Sequence, residues 1–538
     1  MQVTKVIKKA IYWGHLPAAL AFLILSFVIL GPLLHRGYLL HYDMVFAPHF
    51  FVRWDLIRNK EALLNEVPFV FVLNALSFIL PGDILQKLTL AFIFFFSGFS
   101  MYLTAPVKNK FAKFFAGFFY VVNPFVYDRF MAGHCLFLIA YALTPLAIYF
   151  FLRFYREPNQ RNGVLVALMW TLCSIFSIHH FIILGIAFFV TGVFYIRNIR
   201  ALAWTAGVIL ALFALNIWWL WPILASPQVL GYFGISHFYA FATRPDPQFG
   251  LFMNMLGMYG FWHKGWVLAK DFIPFWPFVW LIIIIPVLAG IGSLSVQTAA
   301  HRRVIFSLMA VSVVSLFIAA GPSQYTSGLN SWLFTNLPGF SALRESQKVL
   351  SLLIFAYAFI GSVGLEIILS GKSKRLQAGI LGAFLLLTSF YAFPLFTQGN
   401  GQLKTTDYPK SWYRLAQTQA GKEKILVLPW EEYIQDSFFD KLTANPAVAF
   451  FGLNAIQSTD MKMKGVDTRE KDETSRIVLA TLDSKEPETW AKSLQKIGVK
   501  TILVLKTKEK RDYSFLLADK RFKLVDKDDF TTVISFTE

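Results

Sequence analysis

Charge is what this chain has least of. Only 15% of its 538 residues are Asp, Glu, Lys or Arg, whereas soluble domains carry about a quarter. With 56% hydrophobic and 17% aromatic residues, that scarcity excludes an ordinary soluble globular protein and indicates an integral membrane one. Cysteine is nearly absent. Cys135 and Cys173 both lie in apolar runs, so neither a disulfide framework nor a Cys-based metal motif is expected. No GxxxxGK[ST] loop occurs, which argues against an ATP-driven machine in this chain. Internal repeats and low-complexity tracts are also missing. The net charge of +18 is no sign of a nucleic-acid partner, because residues 1–396 hold 27 Lys+Arg against 11 Asp+Glu and residues 397–538 hold 23 against 21. The excess belongs to the apolar part.

What is present is a succession of apolar runs, at 12–34, 84–105, 114–126, 135–152, 163–178, 181–196, 201–222, 273–293, 304–320, 348–370 and 377–396. They predict an α-helical polytopic membrane domain of about eleven transmembrane helices over residues 1–396. The first run follows Lys5, Lys8 and Lys9 and is too long for a cleaved signal, so it reads as a signal anchor. The segment 67–80 is too short to span and is expected to be re-entrant or interfacial. Short basic connections at 108–113, 153–161, 197–200, 301–303 and 372–375, together with the N-terminus, carry 16 of the 27 basic residues. The positive-inside rule assigns them all to the cytoplasm. An odd number of helices then sends the C-terminus outside the cell membrane. Nine of the eleven acids, Asp43 and Asp128 among them, fall on that exterior side in this topology.

From residue 397 the composition becomes that of a soluble domain. EKILVLPW (423–430) and VKTILVLK (499–506) read as buried strands, ETWAKSLQKIG (488–498) as a helix closed by glycine, and 521–536 as a hairpin. Residues 397–538 are therefore expected to form a small extracytoplasmic α/β domain.

Four exterior stretches could carry chemistry. Asp43 stands in HYDMVFAPH, followed by 49–64, whose Phe50, Trp54, Ile57 and Leu64 suit a helix lying in the interface plane. Such a helix would hold Asp43 at headgroup depth; an ordinary solvated loop acid is the alternative. NPFVYDRFMAGH (123–134) brings Asp128 and Arg129 to the exterior surface between two helices, either to orient a substrate or to close the turn as a local ion pair. The loop 223–272 holds Arg244 and Asp246 between prolines, then Trp262, His263, Lys264 and Trp266 as an aromatic and basic cluster, fit for stacking a sugar or for an interfacial belt. Arg344 and Lys348 enter a helix from outside, against both the positive-inside bias and the helix dipole, which an anion would explain and Glu345 could also offset. His179 and His180 read as turn residues, and Glu366 as a weak candidate for a proton path.

With its many-helix body, early exterior aspartate, second acidic loop and exterior C-terminal domain, the chain resembles the GT-C class of membrane glycosyltransferases. NPFVYDRFMAGH followed by LRESQKVL is similar to arabinofuranosyltransferase-type and YfhO-like membrane proteins. The resemblance implies a polyprenyl-phosphate-linked sugar donor and an envelope glycan, lipid or protein acceptor. It makes Asp43 the catalytic base and Asp128 a second acidic residue at the reacting centre. Arg344, Lys348 and Arg244 would hold the donor phosphate, and Arg129, Trp262 and His263 the substrate. No WWDYG signature occurs, which speaks against protein N-glycosylation, and no cofactor is implied, with a divalent metal left open. Hydroxyl attack on an anomeric carbon requires a proton acceptor, and the departing phosphate requires cations; an inverting transfer is the expectation, with the stereochemistry left open by the sequence. Two other classes stay open: a transporter or flippase of a lipid or glycan intermediate, and a non-catalytic assembly protein. Charges gathered at one surface rather than at the midplane weigh against the transporter.

Overall fold

The computed structural model describes residues 2–52, 64–225, 234–323, 325–337, 339–418, 423–436, 438–439, 441–459, 473–507 and 512–537. The proposed interfacial helix at 49–64 lies largely outside them. The chain divides into two compact units. One comprises 1–31, 62–66 and 89–402; the other comprises 32–61, 67–88 and 403–538.

The first unit is helical. Across the described residues, seven helices are long and apolar enough to span a bilayer: Gly14–Leu34, Gly82–Thr104, Cys135–Arg156, Ile178–Tyr195, Ile199–Ala225, Ala299–Ala319 and Ser346–Leu369. The pair Trp276–Ile283 and Ile285–Ser295, bent by 45°, makes an eighth if it is one span. This is a multi-pass membrane protein. Three of the eleven expected runs fall short as spans, each for a local reason. Lys110–Val121 stops after 12 residues at the Asn123–Pro124 break, Gln160–Phe176 reaches only 17, and Lys374–Tyr391 opens on two cations.

Packing within this unit relies on close backbone approach. A Cβ on Gly364 would lie 1.8 Å from the Pro286 carbonyl oxygen and 2.4 Å from the Gly290 nitrogen, so Ser351–Leu369 and Ile285–Gly292 touch through bare backbone. Small residues at contacts between apolar helices serve that purpose. Pro145 lies inside Cys135–Arg156 and offers no N–H to the carbonyl of Tyr141. That carbonyl instead accepts the Tyr120 hydroxyl at 2.9 Å, and the Tyr141 hydroxyl returns a bond to the Tyr120 carbonyl at 2.8 Å. The two rings stack at 4.1 Å. Glu366 caps the 108–109 turn, its Oε1 accepting both backbone N–H groups at 2.7 and 2.8 Å, which gives it a structural task in place of a proton path.

The second unit holds a five-stranded mixed sheet, ordered Ala455–Ile456, Lys424–Leu428, Val499–Leu505, Thr531–Phe536, Phe522–Lys527. The first two pairings are parallel and the last two antiparallel. Pro487–Ile497 packs Trp490 and Leu494 onto the sheet and ends at Gly498, whose φ of +70° closes the helix. The strands, helix and hairpin expected in 423–536 are all present. The same unit takes in the early segment: Tyr38–Leu39 pairs antiparallel with Thr405–Thr406, and the Tyr408 hydroxyl donates to the Phe46 carbonyl at 2.8 Å.

Candidate functional site

In the helical unit, Asn123 ends one helix and begins the next. Its Nδ2 donates to the carbonyls of Phe119 and Tyr120, at 2.9 and 3.0 Å, while its Oδ1 accepts the Val126 N–H at 2.9 Å. Pro124 then occupies the first helical turn, where its missing N–H costs nothing. The resulting helix Pro124–Met131 is buried throughout, so Asp128 and Arg129 are interior rather than surface residues, 2% and 0% exposed.

Nor do they pair with each other. The Asp128 Oδ1 accepts the Trp266 indole N–H at 3.0 Å, and its Oδ2 is buried without a hydrogen bond. None of the three Arg129 side-chain nitrogens has a hydrogen-bond partner. The guanidinium lies instead 4.5 Å from the Phe261 ring centroid, 4.7 Å from Phe125 and 6.0 Å from Phe137. Aromatic faces attract a cation but leave its five N–H donors unsatisfied. Burial lowers the Arg129 pKa to about 10, opposed by the charges of Glu345 and Asp128. Burial likewise pushes the Asp128 carboxyl up to about 6, against the Trp266 hydrogen bond and the charges of Arg129 and Lys270.

A second group of charges gathers about Phe137. Glu345 receives Lys348 Nζ at 3.1 Å and stands 3.9 Å from His134 Nε2. Lys348 Nζ is also 3.3 Å from His179 Nε2 and 5.6 Å from the Phe137 centroid. Burial alone would raise the Glu345 pKa, but Lys348, His134, Arg129 and Arg344 together hold it well below the carboxylate range. Glu66 is under the influence of the Lys348 charge, with burial raising its carboxyl to about 7. His179 and His180 are not turn residues but the first turn of Ile178–Tyr195. His180 is fully buried against Phe137, at 4.6 Å, with neither ring nitrogen hydrogen-bonded.

The aromatic loop packs as a chain of rings. Phe241, Trp262, His263 and Trp266 contact in series, at 4.7, 5.1 and 4.9 Å. Arg344 lies 5.3 Å from the Phe241 centroid. Burial and the Arg244 charge lower the His263 pKa to about 4. Arg244 itself is exposed and is not drawn into the cation group. Lys270, which sequence reasoning passed over, bridges Asp246 at 2.9 Å and Asn254 at 2.6 Å. His134 and Glu66 were also missed as members. One signal was available for Lys270, which, like Lys348, is a cation at the mouth of an apolar run.

Asp43 belongs to the other unit. A tight turn, in which His41 and Met44 exchange backbone bonds and Tyr42 takes φ +48°, presents it to solvent. Tyr42 is tied to Leu442 and Ala444 by backbone bonds of 2.9 and 2.8 Å, and the Tyr433 hydroxyl donates to Asp43 Oδ1. Among the described residues, no three His, Cys, Asp or Glu side chains gather in a way that could hold a metal ion.

Asp128 makes the stability of this unit pH-dependent. Its folded pKa of about 6 exceeds the ordinary 3.8, so between those values the folded state binds more protons than the unfolded and stability falls as pH rises. At about 1.4 kcal/mol per pH unit, an ionised Asp128 costs roughly 3 kcal/mol at neutral pH. Asp128→Asn is therefore expected to flatten the fall of Tm between pH 4 and 6 in detergent; an unchanged slope would contradict this environment.

No protein-family model matches the chain, and no curated protein does. Solved structures do. The arabinofuranosyltransferase AftD from Mycobacteria is similar over 97% of this chain and 39% of its own, at 12% identity and a TM-score of 0.62. A mutant of that enzyme is similar over 96% of this chain and 41% of its own, at 12% identity and a TM-score of 0.55. ArnT from Cupriavidus metallidurans, bound to undecaprenyl phosphate, aligns over 97% of both chains at 11% identity, with a TM-score of 0.47. The chain spans about two fifths of the length of the arabinofuranosyltransferase.

Proposed function

We propose that this multi-pass membrane protein, which has the fold of the GT-C glycosyltransferases, moves a sugar from a polyprenyl-phosphate donor to an envelope glycan, lipid or protein acceptor on the extracytoplasmic face. In this reading the N-terminus is cytoplasmic and the segment 397–538 extracytoplasmic. One observation carries the proposal: Arg129 is fully buried with three unpartnered nitrogens, close enough to the Lys348, His134 and Glu345 group to share the Phe137 ring with Lys348. A buried guanidinium whose donors meet only aromatic faces is satisfied by a bidentate anion, and a phosphate is the anion such a donor brings.

In the reaction, the acceptor hydroxyl oxygen bonds to the anomeric carbon as the bond from that carbon to the phosphate oxygen breaks. The electron pair leaves with the polyprenyl phosphate, and the hydroxyl proton passes to a carboxylate. Asp43 is the proton acceptor, a role that rests on the family resemblance. Arg129 and Lys348 hold the phosphate as its charge grows, Arg344 adds to the local positive field, and Trp262 and His263 supply a stacking wall for the sugar. Asp128 orients Trp266. Arg244 contributes only long-range charge.

Purified protein given polyprenyl-phosphate pentoses and hexoses in micelles should release polyprenyl phosphate in step with glycosylation of an added acceptor. In proteoliposomes, movement of the intact donor across the bilayer with no release would instead assign a transporter, and neither event would leave an assembly role.

A further inference from the structure

At the end of the helical unit marked by basic connections, a cleft of about 470 Å³ opens between three spans. Pro145, Tyr149 and Leu152 line it from Cys135–Arg156, Phe355 and Phe359 from Ser346–Leu369, and Leu103 and Thr104 from the end of Gly82–Thr104. These wall side chains, Thr104 and the Tyr149 hydroxyl apart, are apolar and lie between helices. Its mouth carries Arg153, Arg156 and Glu157.

The two arginines are not used up by the protein. Arg153 is half-buried, and its side chain makes no hydrogen bond or ion pair among the described residues. Glu157, one turn further along, does not pair with it. Arg156 is exposed, and among the described residues its charge bears on the Tyr195 hydroxyl without forming an ion pair. The connection 153–161 is one of those that the positive-inside rule assigns to the cytoplasm, whose leaflet is rich in anionic lipid. A guanidinium pair above an apolar slot matches a phosphodiester above acyl chains in both charge and polarity.

We infer that this cleft binds an anionic phospholipid, with its phosphate between Arg153 and Arg156 and the start of one chain against Tyr149, Phe355 and Phe359. The site does not depend on glycosyl transfer and stands if that reading fails. Basic pockets between transmembrane helices hold lipid head groups in this manner, and each cation adds roughly a fivefold preference for an anionic lipid.

The test uses the full chain in neutral detergent, with phosphatidylglycerol and phosphatidylcholine titrated separately and retention read by native mass spectrometry. Phosphatidylglycerol should bind more tightly, and Arg153→Gln with Arg156→Gln should weaken it roughly 30-fold. Arg197→Gln with Arg200→Gln, which removes equal charge elsewhere on the same face, should leave it unchanged. Arg153→Gln alone, which costs the protein no internal bond, should give about a fivefold loss and serves if the double variant does not fold. Equal binding of the two lipids, equal loss in both double variants, or retention of undecaprenyl phosphate but not phosphatidylglycerol would each overturn the assignment.

Discussion

Arg129→Met is expected to lower transfer from a polyprenyl-phosphate donor by about 10²- to 10³-fold while leaving the protein at least as stable as it was. The two halves of that outcome have one cause. Arg129 is fully buried and donates no hydrogen bond, so the unliganded fold offsets its desolvation only through the faces of Phe125, Phe261 and Phe137 and the charges of Glu345 and Asp128. Removing a buried charge that has no hydrogen-bonded partner removes its desolvation cost and breaks no pair, so an apolar side chain of similar volume is expected to be neutral or stabilising there. Glu345 is not orphaned by the change, because Lys348 and His134 still face it. A residue with a purely structural role would behave in the opposite way, its loss lowering Tm. Paired measurements of turnover and Tm separate the cases. Full activity with lowered Tm would end the assignment of Arg129 to the phosphate.

The second large effect is expected at Asp43. Asp43→Asn should cut turnover about 10²- to 10⁴-fold, the usual contribution of a positioned proton acceptor, without weakening donor binding. Its side chain is exposed, and an asparagine carbonyl oxygen can still accept from Tyr433. Stability should therefore stay within about 0.5 kcal/mol. The loss should appear in kcat at saturating donor, whereas Arg129→Met should also affect retention of the phosphate-bearing product. Wild-type turnover by a correctly inserted Asp43→Asn protein would remove the general-base role.

Much of the architecture was legible because hydropathy is a local property. A run such as 135–152 is apolar whatever its neighbours do, and it became the span Cys135–Arg156. Asn123–Pro124 was readable as a helix break because proline's missing N–H is likewise local, and the cap formed there. Alternating and continuous apolar patterns in 423–536 gave the strands and the glycine-closed helix. The number of spans was harder to read, since composition alone does not say where a 12-residue helix such as Lys110–Val121 ends short of a membrane's thickness.

The site was only half legible. Asp128, Arg129, Arg344 and Lys348 stood out as charges in apolar surroundings, but their partners did not. Trp266 lies 138 residues from the carboxylate it meets, and His179 lies 169 from Lys348. His179 and His180, adjacent in the chain, looked like a turn until packing set one beside Lys348 and buried the other against Phe137.

By itself, then, the sequence determined the membrane class, the positions of most spans, the break before Asp128 and the sheet-forming segments, all of which depend on properties of neighbouring residues. Tertiary structure alone decided that Asp128 and Arg129 do not pair, that Arg129 is buried with its donors unmet, and that Glu345 serves Lys348 and His134 together. The reason is physical: whether a polar group is solvated, paired or left unsatisfied depends on which distant segments exclude water from it, and that is fixed only when the helices pack.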